Sequence, residues 1–110
     1  MAGSDVYTGT LELLVLRALR EGPLHGYGVG RWIRDTGGEA LRIEEGALYP
    51  ALHRLEKKEW VTSRWGETES GRRAKFYRLT AKGRRVLGRE ELRWRAHVAA
   101  VAAVLDAAGG

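Results

Sequence analysis

The chain has 110 residues and a formal net charge of +5, from 19 Lys and Arg against 14 Asp and Glu. That length supports one modest core, and the basic balance favours an acidic partner without naming it. With no cysteine in the sequence, disulfides, thiolate nucleophiles and thiolate metal sites are excluded, in keeping with a reducing cytoplasm.

From the N-terminus, Met1-Ala2-Gly3-Ser4-Asp5 lacks the basic and apolar regions of a signal peptide. No apolar run approaches the roughly 20 residues needed to span a bilayer, so a cytoplasmic protein with no membrane partner is expected. Thr8 or Thr10 is placed to cap a first helix through Leu11, Leu13, Leu14, Val15, Leu16, Ala18 and Leu19, which ends at Glu21-Gly22-Pro23. This helix is apolar almost all round, so it should be covered on two sides. A second helix begins around Leu24-His25-Gly26-Tyr27, buries Val29, Trp32 and Ile33, and closes at Thr36-Gly37-Gly38. A third starts near Glu45. In it Leu48, Ala51, Leu52 and Leu55 form an apolar stripe at helical spacing, while Gly46, Pro50, His53 and Lys57 fall on the opposite face, with Arg54 at its margin. Pro50 inside this helix ordinarily costs a hydrogen bond and a kink.

Trp60 to Trp65 and Ala74 to Leu79 are rich in β-branched and aromatic residues, and Gly66-Glu67-Thr68-Glu69-Ser70-Gly71 joins them. The pattern predicts a β-hairpin. Thr80 then caps a long last helix reaching about Ala108, with Gly83 and Gly88 as weak points. The fold class expected is therefore mainly α with a small β-hairpin. Three short helices followed by a two-stranded ribbon make a winged helix-turn-helix, over residues 1–79, and residues 80–110 supply a long C-terminal dimerisation helix.

In that arrangement the third helix enters the major groove and the ribbon lies along neighbouring backbone. A basic run from Arg72 through Arg73, Lys75, Arg78, Lys82 and Arg84 to Arg85 contains no acidic residue. Arg72, Arg73 and Lys75 are expected at the base of the ribbon, where arginine can grip a phosphate through two parallel hydrogen bonds. Glu67 and Glu69 would repel phosphate, so the tip should be splayed away or solvated. His53 and Arg54 are candidates for base edges or flanking phosphates. Tyr49 either fills the core or offers its hydroxyl to a phosphate while its ring packs.

Leu87, Trp94, Val101 and Ala108 are seven residues apart, as are Glu91, Val98 and Leu105. Interleaved, they form the seam of a helix pair. The helix either folds back on its own domain or pairs with a second copy, for which the first helix, through Leu13 and Leu16, is the natural surface. A dimer would present two recognition helices about one helical turn apart, to a near-palindromic operator. A tryptophan at a symmetric seam meets its own copy, so Trp94 is either a packing residue or one of two indoles that hold a planar aromatic effector.

Other chemistry finds little support. His25, His53 and His97 are far apart and lack second ligands at metal spacing. Gly26, Gly28 and Gly30 are followed by Arg31 and preceded by Pro23, which does not make a phosphate loop. Adjacent carboxylates such as Glu44-Glu45 and Glu90-Glu91 diverge on a helix. No enzyme activity, cofactor or metal is expected. A winged-helix module that binds protein rather than DNA, and an architectural DNA binder without sequence preference, are the alternative readings.

Several motifs in fixed order give the chain a family likeness: Gly9-Thr10-Leu11-Glu12-Leu13-Leu14-Val15-Leu16, His25-Gly26-Tyr27-Gly28, Gly46 to Glu56 (Gly-Ala-Leu-Tyr-Pro-Ala-Leu-His-Arg-Leu-Glu), Arg72-Arg73-Ala74-Lys75-Phe76-Tyr77 with Leu79-Thr80, and Trp94. Over about Thr8 to Ala108 the sequence resembles the PadR family of transcriptional regulators, in its shorter branch with one C-terminal helix. The resemblance implies a bacterial homodimeric winged-helix repressor that releases DNA when an effector binds, and in some relatives a tryptophan at the position of Trp94 lines an effector pore. It also implies a DNA-facing set of Tyr27, Gly46, Ala47, Tyr49, Pro50, His53, Arg72, Arg73 and Lys75. Two positions depart from the family pattern. Ala47 stands where Thr or Ser is usual, removing a hydroxyl, and Glu59 stands where glycine usually precedes the first strand, which is expected to reshape that turn.

Overall fold

The computed structural model describes residues 8–109. Helix α1 (Thr8–Ala18) is followed by strand β1 (Leu24–His25), helix α2 (Gly26–Gly37), a 3-10 turn (Glu39–Leu41), helix α3 (Glu45–Lys57), strands β2 (Val61–Glu67) and β3 (Arg73–Leu79), and helix α4 (Ala81–Leu105). Thr10 lies inside α1 rather than at its cap. The residues before Thr8, including Met1–Asp5, lie outside the described range.

One apolar cluster organises the body. Val15, Leu16, Ala18 and Leu19 of the first helical segment meet Val29 and Ile33 of α2, Leu48, Leu52 and Leu55 of α3, Val61, Tyr77 and Leu79 of the sheet, and Val86 and Leu87 of α4. The i, i+3, i+4 spacing in α3 buries Leu48, Ala51, Leu52 and Leu55 almost completely, so the back of that helix is fixed and its front is free. Pro50 does not break α3. Trp32, expected in the core, is only partly buried, and the Arg17 guanidinium lies over its ring at 5.2 Å.

The hairpin is part of a three-stranded antiparallel sheet in the order β1-β3-β2. Leu24 and His25, expected to open a helix, instead pair with Tyr77 and Phe76. A two-residue strand carries no periodicity of its own, and it exists only because β3 supplies its hydrogen-bonding edge. β2 and β3 run in register from Val61↔Leu79 to Glu67↔Arg73, so the strands extend into what was expected to be loop, and the turn shrinks to Thr68–Arg72. Helix α2 starts at Gly26, where the His25 side chain caps it by accepting from the Gly28 N–H at 3.1 Å.

Two tight features join α3, β2 and α4. At the end of α3 the Trp60 N–H donates to the Leu55 carbonyl (3.0 Å) and the Glu59 N–H to that of Glu56 (2.9 Å), a Schellman closure that requires left-handed backbone at Glu59. Glu59 adopts it with φ 65°, the only non-glycine residue with positive φ among those described. The turn is thus kept, with glutamate bearing the strain, rather than reshaped. Thr80 caps α4 by accepting from the Gly83 N–H (2.9 Å) and donates to the Glu59 carbonyl (2.7 Å). Gly83 is no weak point: it is buried, and a Cβ there would overlap the Trp60 carbonyl.

Only Gly83, Val86 and Leu87 of α4 are buried, and the helix ends at Leu105 rather than Ala108. Its remaining turns project from the body, and with them the molecule extends 60 × 28 × 24 Å. Where α4 leaves α1, Glu91 accepts from Arg95 (2.8 Å) and faces Arg20 (3.9 Å). The Arg95 guanidinium holds the Glu91 carboxyl below its usual range. The architecture is a winged helix followed by one long helix.

This geometry sets the sign of three substitutions. Gly83→Ala should lower unfolding stability by about 2–3 kcal/mol through the clash with backbone, whereas Gly88→Ala, with open space around it, should raise it by roughly 0.5–1 kcal/mol. Glu59→Gly should stabilise by about 1 kcal/mol by removing the left-handed strain. Urea unfolding of the three variants, at constant m-value, checks all three.

Candidate nucleic-acid interface

The front of α3 carries Gly46, Ala47, Tyr49, Pro50 and His53, all exposed. The approach of α2 to α3 explains two of the glycines in the Gly26-Tyr27-Gly28-Val29-Gly30 run. A Cβ at Gly26 would come within 2.5 Å of Tyr49 Cε1 and 2.7 Å of its hydroxyl, and one at Gly30 within 3.3 Å of Leu48. Tyr49 therefore packs its ring on the α2 backbone and still remains 38% exposed. Its two sequence readings, packing and an accessible hydroxyl, are compatible. Tyr27, 60% exposed, stacks with His25 at 6.3 Å, and His25 meets Phe76 edge-on at 5.3 Å. β1 thereby fixes the first turn of α2 against the ribbon.

Between the α2 N-terminus and the ribbon lies a concave groove of about 810 Å³, lined by Tyr27, Tyr49, Glu67, Arg72, Arg73 and Lys75 among others. It brings expected DNA-facing residues together from α2, α3 and the ribbon. The place of the cations on the ribbon differs from expectation. The register puts Arg73 opposite Glu67 in the last pair before the turn, so Arg72 and Arg73 stand at the tip and not at the base. Arg73 lays its guanidinium over Trp65 at 4.9 Å, which holds the cation clear of the neighbouring carboxylate. The Arg72 N–H donates to Thr68 Oγ1 (3.2 Å) across the turn. The tip thus presents Arg72 and Arg73 together with Glu67 and Glu69. The basic run does not form one face either: Arg84 bonds the Arg20 carbonyl at the end of α1 (3.3 Å), away from the groove.

Three further cations carry no mark of a site in the sequence. Arg31, Arg34 and Arg42 line a small cleft of about 120 Å³ with Tyr27, Tyr49 and Glu45. They stand beside the start of α3, and Asp35 lies 3.7 Å from Arg31. Arg31 and Arg34 are one helical turn apart, a spacing that places them on a shared face. Arg42 lacks even that, since only the fold of the 3-10 turn brings it there.

Arg54 does not join the front of α3 as its place in the helix suggested. Its Nε donates to Glu12 Oε2 of α1 at 2.7 Å, which draws the guanidinium to the margin between α1 and α3 rather than out beside His53. Behind α3, Ser63 donates to Glu56 Oε2 (2.6 Å) and ties β2 to the helix. Burial, with Glu56 and Tyr49 nearby, pushes the Tyr77 phenol up, so it stays neutral.

The residues expected at a seam divide in two. Leu16 and Leu87 are buried in the chain's own core, because the first turns of α4 pack on α1, and Leu13 is half-buried. Trp94, Val98, Val101 and Leu105 are exposed on the projecting part of α4. Leu13, Leu16 and Trp94 line one cleft of about 510 Å³ between α1 and α4, which also contains Glu12, Lys58 and Trp60. Among the described residues no helix is long and apolar enough to cross a membrane, and no cluster of metal-ligating side chains occurs.

A helix presented on a packed back, a β-ribbon beside it and a basic, tyrosine-edged groove between them define a winged-helix protein of the nucleic-acid-binding kind. Comparison with known proteins narrows the class. The model of the transcriptional regulator PadR-like family matches residues 15–89, and the chain belongs to that family of transcriptional regulators. It is 31% identical to a transcriptional regulator from Clostridium thermocellum whose structure superposes with a TM-score of 0.79, over 88% of this chain and 94% of that one. A PadR family regulator from Eggerthella lenta is 36% identical, with a TM-score of 0.77 over 93% and 87% of the two chains. An uncharacterised protein of Lysinibacillus sphaericus is 32% identical over 86% of each chain.

His25 should matter to this interface through its cap. His25→Ala should cost about 1 kcal/mol of stability, and His25→Asn, which keeps an acceptor at the cap, should recover most of it. Urea denaturation of both variants measures the difference.

Proposed function

We propose that this regulator acts as a homodimeric repressor that occupies a near-palindromic operator and is released by a planar aromatic effector. The observation that carries the pairing is the row Trp94, Val98, Val101 and Leu105, uncovered on a helix that projects from its own body. An apolar seam of this length in water favours a second helix. Residues 1–79 would then read DNA and 80–110 would join the two chains, with Val86 and Leu87 anchoring the joining helix in the body's core. Two such bodies would meet one duplex about one helical turn apart.

In this reading Tyr27, Gly46, Ala47, Tyr49, Pro50 and His53 face the major groove, and Arg72, Arg73 and Lys75 meet phosphates beside it. The cations supply salt-dependent affinity and the α3 front supplies sequence preference. Gly46 and Ala47 let the helix approach closely, and Ala47 offers a methyl contact in place of a hydroxyl bond. At the seam Trp94 meets its copy, and a flat aromatic molecule stacked between the indoles would change the angle between the two bodies. Such a molecule releases DNA only if it binds the DNA-incompetent angle more tightly. No catalytic group is invoked, and no cofactor or metal.

Selection of duplexes from a random pool, with and without a panel of planar aromatic compounds, tests the whole reading. The recovered duplexes should share a two-fold repeat, and one or more compounds should reduce recovery. The double variant Arg72→Ala, Arg73→Ala should lower affinity for every duplex, by about tenfold at moderate salt. It should also flatten the salt dependence by about 2, one unit for each phosphate that is no longer neutralised. A chain that stays monomeric at micromolar concentration, or a pool that shows no enrichment, overturns it.

A further inference from the structure

A charge cluster outside the DNA-facing surface joins the recognition helix to α1. Glu12 is the second residue of the Leu11-Glu12-Leu13-Leu14 run, and its side chain is only 14% exposed. Both of its oxygens are taken, Oε2 by Arg54 Nε at 2.7 Å and Oε1 by Lys58 Nζ at 3.2 Å. The two cations lie four residues apart at the end of α3, and the sequence separation to Glu12 is 42 and 46 residues. Lys58 Nζ is also 4.5 Å from the centre of the Trp60 ring. The ammonium is held from two sides.

This arrangement differs from an ordinary surface ion pair. An exposed pair adds little, because solvent screens it and long side chains lose freedom. Here one carboxylate, 14% exposed, bridges two half-exposed cations at one helix end, and removing it would leave Arg54 without its carboxylate and Lys58 with the Trp60 ring alone. The apolar stripe of α3 is non-directional, so it fixes which face is buried more firmly than it fixes rotation or slide. A two-point, charge-assisted contact selects one setting. Arg54 is one position from His53 and one turn from Pro50, so any slide of its end of α3 moves the DNA-facing residues.

We propose that Glu12, through its joint hold on Arg54 and Lys58, is a positioning residue that sets how α3 sits on α1, so that discrimination between duplexes depends on it more than affinity does. The inference rests on the DNA-binding reading above. It gives Arg54 and Lys58 the role of anchors rather than phosphate contacts. Glu12 and Lys58 also line the α1–α4 cleft, so whatever fills that cleft touches the same anchor.

The test compares binding of a duplex selected by the unaltered protein with binding of a random-sequence duplex of equal length, across a salt series. Glu12→Gln should reduce the preference for the selected duplex by about tenfold, the scale of one mismatched base pair. Its affinity for random duplex should rise two- to fivefold at low salt, with the salt dependence steeper by about 1–2 as the two cations are released towards phosphate. Arg54→Lys, which keeps the charge but loses the guanidinium geometry, should lose preference while random-duplex affinity stays unchanged. It carries the test alone if Glu12→Gln does not fold. Preference retained in both variants overturns the proposal, as does a parallel loss of both affinities with a fall in Tm, which would mark a purely structural pair. An unaltered protein that prefers no duplex overturns the DNA-binding reading itself and this proposal with it.

Discussion

The constraint on which the rest of the molecule depends is the burial of one face of α3. Leu48, Ala51, Leu52 and Leu55 are withdrawn from water against the residues that close the core from α1, α2 and the sheet. Fully burying a leucine side chain is worth roughly 1.5–3 kcal/mol, so the stripe outweighs any single polar contact around it. Because the back is committed, the front is free to carry residues chosen for contact rather than packing. Gly46, Ala47 and Pro50 keep that front low, and His53 adds a polar edge. Pro50 has no N–H to donate, yet α3 continues through it, with the ring on the exposed front of the helix.

Around that helix, polar contacts settle orientation. Ser63 on Glu56 ties the ribbon to it, Thr80 ties the start of α4 to the turn that ends it, and Glu12 ties it to α1. The turn after α3 shows how firmly this junction is held. Its Schellman closure demands left-handed backbone, and glutamate occupies that place at a cost that glycine would avoid. Gly83 shows the complementary case. There the helix passes so close to the Trp60 carbonyl that only a residue without Cβ fits. Both positions lie at the junction of α3 and α4, where the backbone has little room to take another course.

Much of the fold is legible in the sequence because its signals are periodic. The apolar spacing of α3, the β-rich runs either side of Gly66–Gly71 and the Thr80 cap each act over a few neighbouring residues. β1 is not legible, since two residues have no period and pair only when β3 is already in place. The ribbon is longer than its composition suggests for a related reason: Gly66 and Glu67 are poor strand formers, yet the ladder from Val61 continues through them. Of the candidate site, the α3 front and the wing cations stand out in the sequence as a set. Arg54 does not follow its helical angle, which places a Cα but not the end of a long side chain. Arg31, Arg34 and Arg42 stay hidden because nothing in the chain order brings them beside Tyr49.

The amino-acid order by itself determined the helices, the hairpin, the excess of positive charge and the family to which the chain belongs, because those follow from local spacing and short motifs. Tertiary structure alone decided that Arg72 and Arg73 stand at the tip, that Arg54 turns to Glu12, and that Leu16 and Leu87 are core while Trp94, Val98, Val101 and Leu105 remain uncovered. The physical reason is common to all of these. Strand register, the reach of a flexible side chain and the burial of a helix face each depend on a partner distant in sequence, and only folding brings that partner within range.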